Sequence, residues 1–418
     1  MKLTLCEKKI KKFFSDVVIN TFAFALLIVA QQIIAFPTIA KFGDANAFGD
    51  ILALMAIANI QSVFFGESLG NTRLLLNDQY NLEIEYRKLN IILLLLSFIL
   101  SILMFFMITK SFNLLDVFTF AAISVFSSIR LYNVALFRLN KKFKKILFLN
   151  VLYSAGIIVG LGISLIFNKF LMVFFIAELF ALVIMNKVKF PKILPIKLSF
   201  NKIIIKTYFN LSISSSISYT SNLLDRFIIY PILGAHDVSV FYSASIIGRL
   251  GALVINPITG VILSWMPDVN KESRSRILII TLTISSIFAA LYFFLIMLFS
   301  PMIIKLLYPQ YYIEALNYIL IICITHSISI VNSLIKPVLL KTVNLNVLTG
   351  MNLLYAILII CLGALLALRM GLYGFAIAFL VSTLLITLIR LIYVYIILKK
   401  DNNPSQIRSG NQVESGAK

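Results

Sequence analysis

The feature that most constrains this chain is the recurrence, from end to end, of apolar runs of about 20 residues. Each run is long enough to cross roughly 30 Å of hydrocarbon as a helix. Twelve are read: 14–36, 47–66, 90–109, 114–137, 146–167, 170–186, 207–233, 241–264, 277–299, 313–335, 345–367 and 372–397. They are too long and too uniformly apolar for barrel strands, which alternate over about ten residues. Of the 418 residues, 60% are hydrophobic and 13% charged, and the mean hydropathy is +0.99. The expected fold class is an all-α polytopic membrane protein with about twelve transmembrane helices.

The net charge of +20 would suggest nucleic acid in a soluble protein. Here the cations lie in short connectors, which points to topology instead. With the N-terminus placed in the cytoplasm, 28 of the 37 lysines and arginines fall in inside segments, five outside, and four within spans. The outside five are Lys41, Lys110, Lys169, Lys305 and Arg369, and the four within spans are Arg130, Arg226, Arg249 and Arg390. This bias predicts that both termini are cytoplasmic. Lys8, Lys9, Lys11 and Lys12 precede the first span, but no small-residue cleavage site follows it, so the span is expected to stay in the mature protein.

The connector NKVKFPKILPIKLSFNKIIIK, with six lysines and two prolines, divides the spans six and six. The expected organisation is an N-terminal lobe over 1–186, a cytoplasmic linker over 187–206, a C-terminal lobe over 207–399 and a disordered tail over 400–418. The lobes show a weak internal repeat. Phe36-Pro37 ends the first span and Tyr230-Pro231 nearly ends the seventh. Gly43 with Phe48-Gly49, and Gly234 with Phe241-Tyr242, lead into the next span of each half. Two related lobes flanking a central cavity suit transporters, whose sites lie between repeats near the midplane.

Charge inside a span is costly and therefore informative. Span seven contains YFNLSISSSISYTSNLLDR. Read as one helix, it places Asn210, Ser214, Ser218, Ser221 and Asp225 on one face, and Ser215, Tyr219, Asn222 and Arg226 on the next. Lipid would reject such a stripe, so it should line protein or water. Asp225 and Arg226 are adjacent, about 100° apart around the axis, so each should seek a partner elsewhere; Arg249 is one candidate for Asp225. Weaker stripes carry Asp16, Asn20, Gln31 and Gln32 in span one, Ser124, Ser127 and Arg130 in span four, and Glu178 in span six. In span ten, Thr325, Ser329, Asn332 and Lys336 are spaced alike. Together Arg130, Arg226, Arg249 and Lys336 would make a cationic cavity suited to phosphate or carboxylate. Glu178 reads equally well as a satisfied buried acid or as a group that takes up a proton. Arg390, in the last turns of span twelve, could snorkel to the interface.

Other chemistry is not supported. The three cysteines, Cys6, Cys323 and Cys361, form no CxxC, and two distant histidines make no metal site. The motifs GxxxxGK[ST], GxSxG and HExxH are absent. Asp44 and Asp50, in the first outer loop, have no catalytic spacing, and no outer loop is long enough to house an external active site.

The stretch LLDRFIIYPILGAHDVSVFYSASIIGRLGALVINPITGVILSWMPDV resembles the polysaccharide flippases of the multidrug/oligosaccharidyl-lipid/polysaccharide superfamily, specifically the O-antigen type. The residues that carry the resemblance are Asp225-Arg226, Leu233-Gly234, Phe241-Tyr242-Ser243 and Pro267, together with the six-plus-six layout. The first half fits less well. The resemblance implies a non-enzymatic transporter of the bacterial inner membrane, without cofactor. It would carry an undecaprenyl-pyrophosphate-linked oligosaccharide to the periplasmic leaflet by alternating access, coupled to an ion gradient, for O-antigen of lipopolysaccharide or a similar surface polymer. Its partners would be the lipid-linked substrate, membrane lipids, a polymerase and a chain-length regulator, and no nucleic acid. Arg226, Arg249, Arg130 and Lys336 would then contact substrate, with Asp225 orienting an arginine. Glu178 or Asp16 would couple the ion, and Asn210, Ser214, Ser218 and Asn222 would line the cavity. The rivals are a multidrug exporter of the same superfamily, a lipid-linked cell-wall precursor flippase, and a membrane-embedded repeat-unit polymerase.

Overall fold

The computed structural model describes residues 15, 18–76, 83–109, 113–185, 201–220, 223–265, 271–342 and 345–401. The described residues are almost wholly helical. The helices are α1 (Val18–Phe42), α2 (Asn46–Leu76), α3 (Glu83–Ile108), α4 (Leu114–Leu139) and α5 (Phe143–Phe167), then α6 (Leu171–Met185), α7 (Lys202–Thr220), α8 (Leu224–Leu233), α9 (Ala235–Trp265), α10 (Lys271–Leu307), α11 (Tyr312–Thr342) and α12 (Leu345–Asp401). Eight of the described helical segments are long and apolar enough to span a membrane. Their outward residues are apolar as well: on α10, Leu291, Phe294, Leu298 and Met302 are all exposed. Water would penalise such a surface and lipid would not. The all-α, multi-pass expectation is borne out.

Several helices outrun the spans read from sequence, α2 reaching Leu76, and two departures are of another kind. Span seven is two helices, not one. The described part of α7 runs to Thr220, and α8 begins at Leu224 after Leu223, whose φ −122° and ψ 5° depart from the helix. The intervening sequence is rich in Ser, Thr and Asn, whose side chains compete for backbone hydrogen bonds and favour breaks. Conversely, the first span does not end at Phe36-Pro37 but continues to Phe42. The helix is π-wound over Val29–Ala35, just before the proline. That wider turn accommodates a residue lacking an N–H donor. Spans eleven and twelve are the two parts of α12, separated at Gly371 by φ 61° and ψ −146°, a conformation that glycine alone adopts freely.

By internal contacts the chain divides into two compact units, Met1–Val240 with Leu307–Gln310, and Phe241–Leu306 with Tyr311–Lys418. Most of the 187–206 connector lies outside the described residues.

The first unit packs through small residues. Gly156 and Gly160 of α5 lie on one face, four apart. A Cβ on them would meet the α6 backbone at Ala177 (2.6 Å) and Val173 (2.8 Å). A Cβ on Gly66 of α2 would fall 2.1 Å from the Ser128 carbonyl oxygen of α4, and one on Gly49 would fall 2.0 Å from that of Ala235. In lipid, such close backbone approach takes the place of a hydrophobic driving force between helices. Helix α7 joins this unit: Tyr208 donates to the Phe64 carbonyl at 3.0 Å and packs with Phe65, Leu69 and Tyr132.

In the second unit, Phe241 of α9 meets Phe375 and Phe379 of α12 edge-on. Tyr292 of α10 donates to the Ile247 carbonyl at 3.1 Å. Ala289, Ile330 and Leu334 form an apolar cluster joining α10 and α11.

Candidate functional site

In the first unit, helices α4 and α6 bring two separate sequence candidates together. Arg130, 6% exposed, and Glu178, 2% exposed, form a buried ion pair. Arg130 Nε donates to Glu178 Oε2 at 2.9 Å, and Nη2 donates to Oε1 at 3.0 Å. The guanidinium lies over the Tyr153 ring of α5, 4.7 Å from its centroid. The Tyr153 hydroxyl accepts from Gln31 Nε2 at 2.7 Å. Gln31 sits in the π-wound turn of α1, a local geometry common at functional sites. One chain of contacts thus links α1, α5, α4 and α6. Glu178 holds Arg130 through Nε and Nη2, so an anionic ligand on that edge would have to displace Glu178 or meet it neutralised.

Asp225 and Arg226 form the first turn of α8, and both are buried, Arg226 at 5% exposure. A continuous helix would have placed Asp225 on the polar face of α7; the turn at Leu223 puts Asp225 and Arg226 on a separate helix. An acid in the first turn is favoured by the positive end of the helix dipole. Arg226 Nη1 donates to the Leu52 carbonyl of α2 at 3.1 Å. One turn on, the Tyr230 hydroxyl lies 2.5 Å from Asp50 Oδ1 and 2.9 Å from the Ile108 carbonyl. Asp50 therefore ties α2 to α8, and Asp44 caps α2 by accepting from the Ala47 N–H.

Asn210 and Ser214 are exposed on α7, a polar face on a helix within the apolar body. Helix α7 passes through Ser218, whose side chain is not described, while Asn222 and Asp16 lie outside the described residues.

The remaining candidates belong to the second unit. Arg249 is half-buried; its Nε donates to Ser245 Oγ at 3.0 Å and its guanidinium lies 5.1 Å from the Tyr242 ring centroid. Lys336 is exposed.

Sequence reasoning misses Tyr153, Tyr230 and Gln61. Gln61 Oε1 lies 2.7 Å from Ser101 Oγ, beside the second π-wound segment, Ser62–Glu67. Tyrosines give no sequence signal inside an aromatic-rich span. Gln61 does carry one, as an amide in an apolar run.

No protein-family model matches the chain, and no curated protein matches it in sequence. Solved structures do. The lipid II flippase MurJ in an inward closed conformation superposes with a TM-score of 0.69 at 14% identity, over 97% of this chain and 92% of that one. A MATE protein in complex with MaL6 gives 0.63 at 13% identity, over 92% and 96%. An inward-facing multidrug resistance MATE family transporter of the MOP superfamily gives 0.57 at 14%, over 93% and 96%. The chain has the fold of these transporters. At such identities the likeness concerns the fold alone.

Proposed function

We propose that the protein is a flippase. It moves an undecaprenyl-pyrophosphate-linked oligosaccharide, of the kind used for O-antigen or a related surface polymer, from the cytoplasmic to the periplasmic leaflet of a bacterial inner membrane. Both termini are cytoplasmic, the halves 1–186 and 207–399 act as lobes, and the movement is alternating access coupled to an ion gradient. The polymerase and chain-length regulator act downstream of it.

The observation that carries this reading is the pair of buried arginines, Arg226 and Arg130, in a chain with a transporter fold. Buried guanidinium groups suit a pyrophosphate, and they would repel a cationic drug. In this scheme Arg226 meets the pyrophosphate and Asp225 orients it. Glu178 holds Arg130 until it takes up a proton, after which Arg130 is free to bind the anion. Arg249, Lys336 and the polar face with Asn210, Ser214, Ser218 and Asn222 serve the head group as it moves. Asp16 is the second candidate for coupling.

The test is replacement of Arg226 or Arg249 by Ala. Each variant should insert at the normal level and fail to transport lipid-linked oligosaccharide. Full transport by both would overturn the assignment. The exporter reading rests on the MATE likeness and predicts instead that the arginine variants keep drug efflux.

A further inference from the structure

The second unit holds a polar cluster built around Arg390, a residue with no part in the flippase scheme. Arg390, in the second part of α12, is 7% exposed. Its Nη2 donates to Asn352 Oδ1 in the first part of α12 at 2.9 Å, while its Nε is buried with no hydrogen-bond partner. Lys336 of α11 and Arg390 of α12 each lie one turn beyond a pair of residues in direct contact, Asn332 and Thr387. One turn before Lys336, Asn332 donates to Thr387 Oγ1 at 2.6 Å, and its own Oδ1 is buried and unpartnered. Among the described residues no carboxylate pairs with Arg390 or Lys336.

A snorkelling arginine would reach water. Arg390 is buried instead, with a neutral amide as its acceptor and Lys336 at the matching turn of the neighbouring helix. Such an arrangement is expensive unless an anion completes it. Three elements converge there: the end of α11, the start of α12 and the last turns of α12. All three lie at the same end of the unit, where α11 hands over to α12.

We propose that Arg390, Lys336 and Asn352 form a binding site for a phosphate group, Arg390 offering its free Nε–H, Lys336 its ammonium and Asn352 its amide. The phosphate is carried either by an anionic lipid headgroup or by a soluble polyphosphate. The site shares Lys336 with the flippase scheme but does not rest on it, because its occupancy is read without transport.

The test uses the full chain purified in detergent, with binding followed by native mass spectrometry. The probes are phosphatidylglycerol, phosphatidylcholine and inorganic pyrophosphate. Removing one charge-assisted hydrogen bond should weaken binding roughly tenfold. The expected result is that wild type prefers phosphatidylglycerol to phosphatidylcholine, or binds pyrophosphate, by about that factor, and that Lys336→Gln and Arg390→Lys abolish the preference. Phosphatidylglycerol binding that pyrophosphate does not displace assigns the headgroup; pyrophosphate binding assigns the soluble ligand. Lys336 is exposed, so its variant should fold even if Arg390→Lys does not. Arg369→Gln, at an exposed cation elsewhere on the unit, should bind as wild type does. The proposal is overturned if no anionic probe is preferred, if Lys336→Gln and Arg390→Lys bind like wild type, or if Arg369→Gln weakens binding equally.

Discussion

Arg130 and Glu178 are worth more together than apart. Glu178→Gln leaves a buried guanidinium without its counter-charge and should lower stability by roughly 3–5 kcal/mol, read from chemical unfolding in detergent. Replacing both, as Arg130→Met with Glu178→Leu, should recover most of that stability, because a well-packed apolar pair needs no desolvated charge. A Glu178→Gln variant as stable as wild type would mean that the pair is not buried in the membrane. At this scale the sequence is a partial guide. Each charge is visible as an anomaly inside an apolar run, but the pairing is not, because 48 residues separate the partners and only packing decides which helices touch. Arg226 and Asp225 are likewise visible. Their neighbour Leu52 is not, since a backbone carbonyl leaves no trace in sequence.

At the scale of elements, composition locates nearly every helix, and local chemistry decides the departures. A periodic stripe of Ser, Asn and Asp looks continuous through span seven, yet these residues also favour breaks, and the helix is interrupted at Leu223. Pro37 looks like a terminus, but the π-wound turn before it lets α1 continue. Glycines divide in the same way between geometry and mere tolerance. Gly371 has positive φ, so Gly371→Ala should cost about 1–2 kcal/mol. Gly350 lies within helix with open space about it, so Gly350→Ala should be neutral or stabilise by up to about 1 kcal/mol. Thermal unfolding of the two variants side by side checks this, and equal effects would contradict the backbone assigned at Gly371.

At the scale of the whole molecule, the apolar runs make the multi-pass fold legible, and superposition on MurJ and MATE structures agrees with it. The positive-inside count makes a prediction of its own. The single-cysteine variants Lys41→Cys and Lys169→Cys should react with an impermeant thiol reagent on intact cells, and Lys142→Cys only after permeabilisation. The central claim is transport of a lipid-linked oligosaccharide. It is tested most directly by deleting the gene and following that lipid by mass spectrometry with periplasmic labelling. The account predicts a single repeat unit trapped on the cytoplasmic leaflet and released by restoring the wild-type protein but not Arg226→Ala. A unit already exposed to the periplasm but unpolymerised, or no accumulation with normal surface polymer, would contradict it.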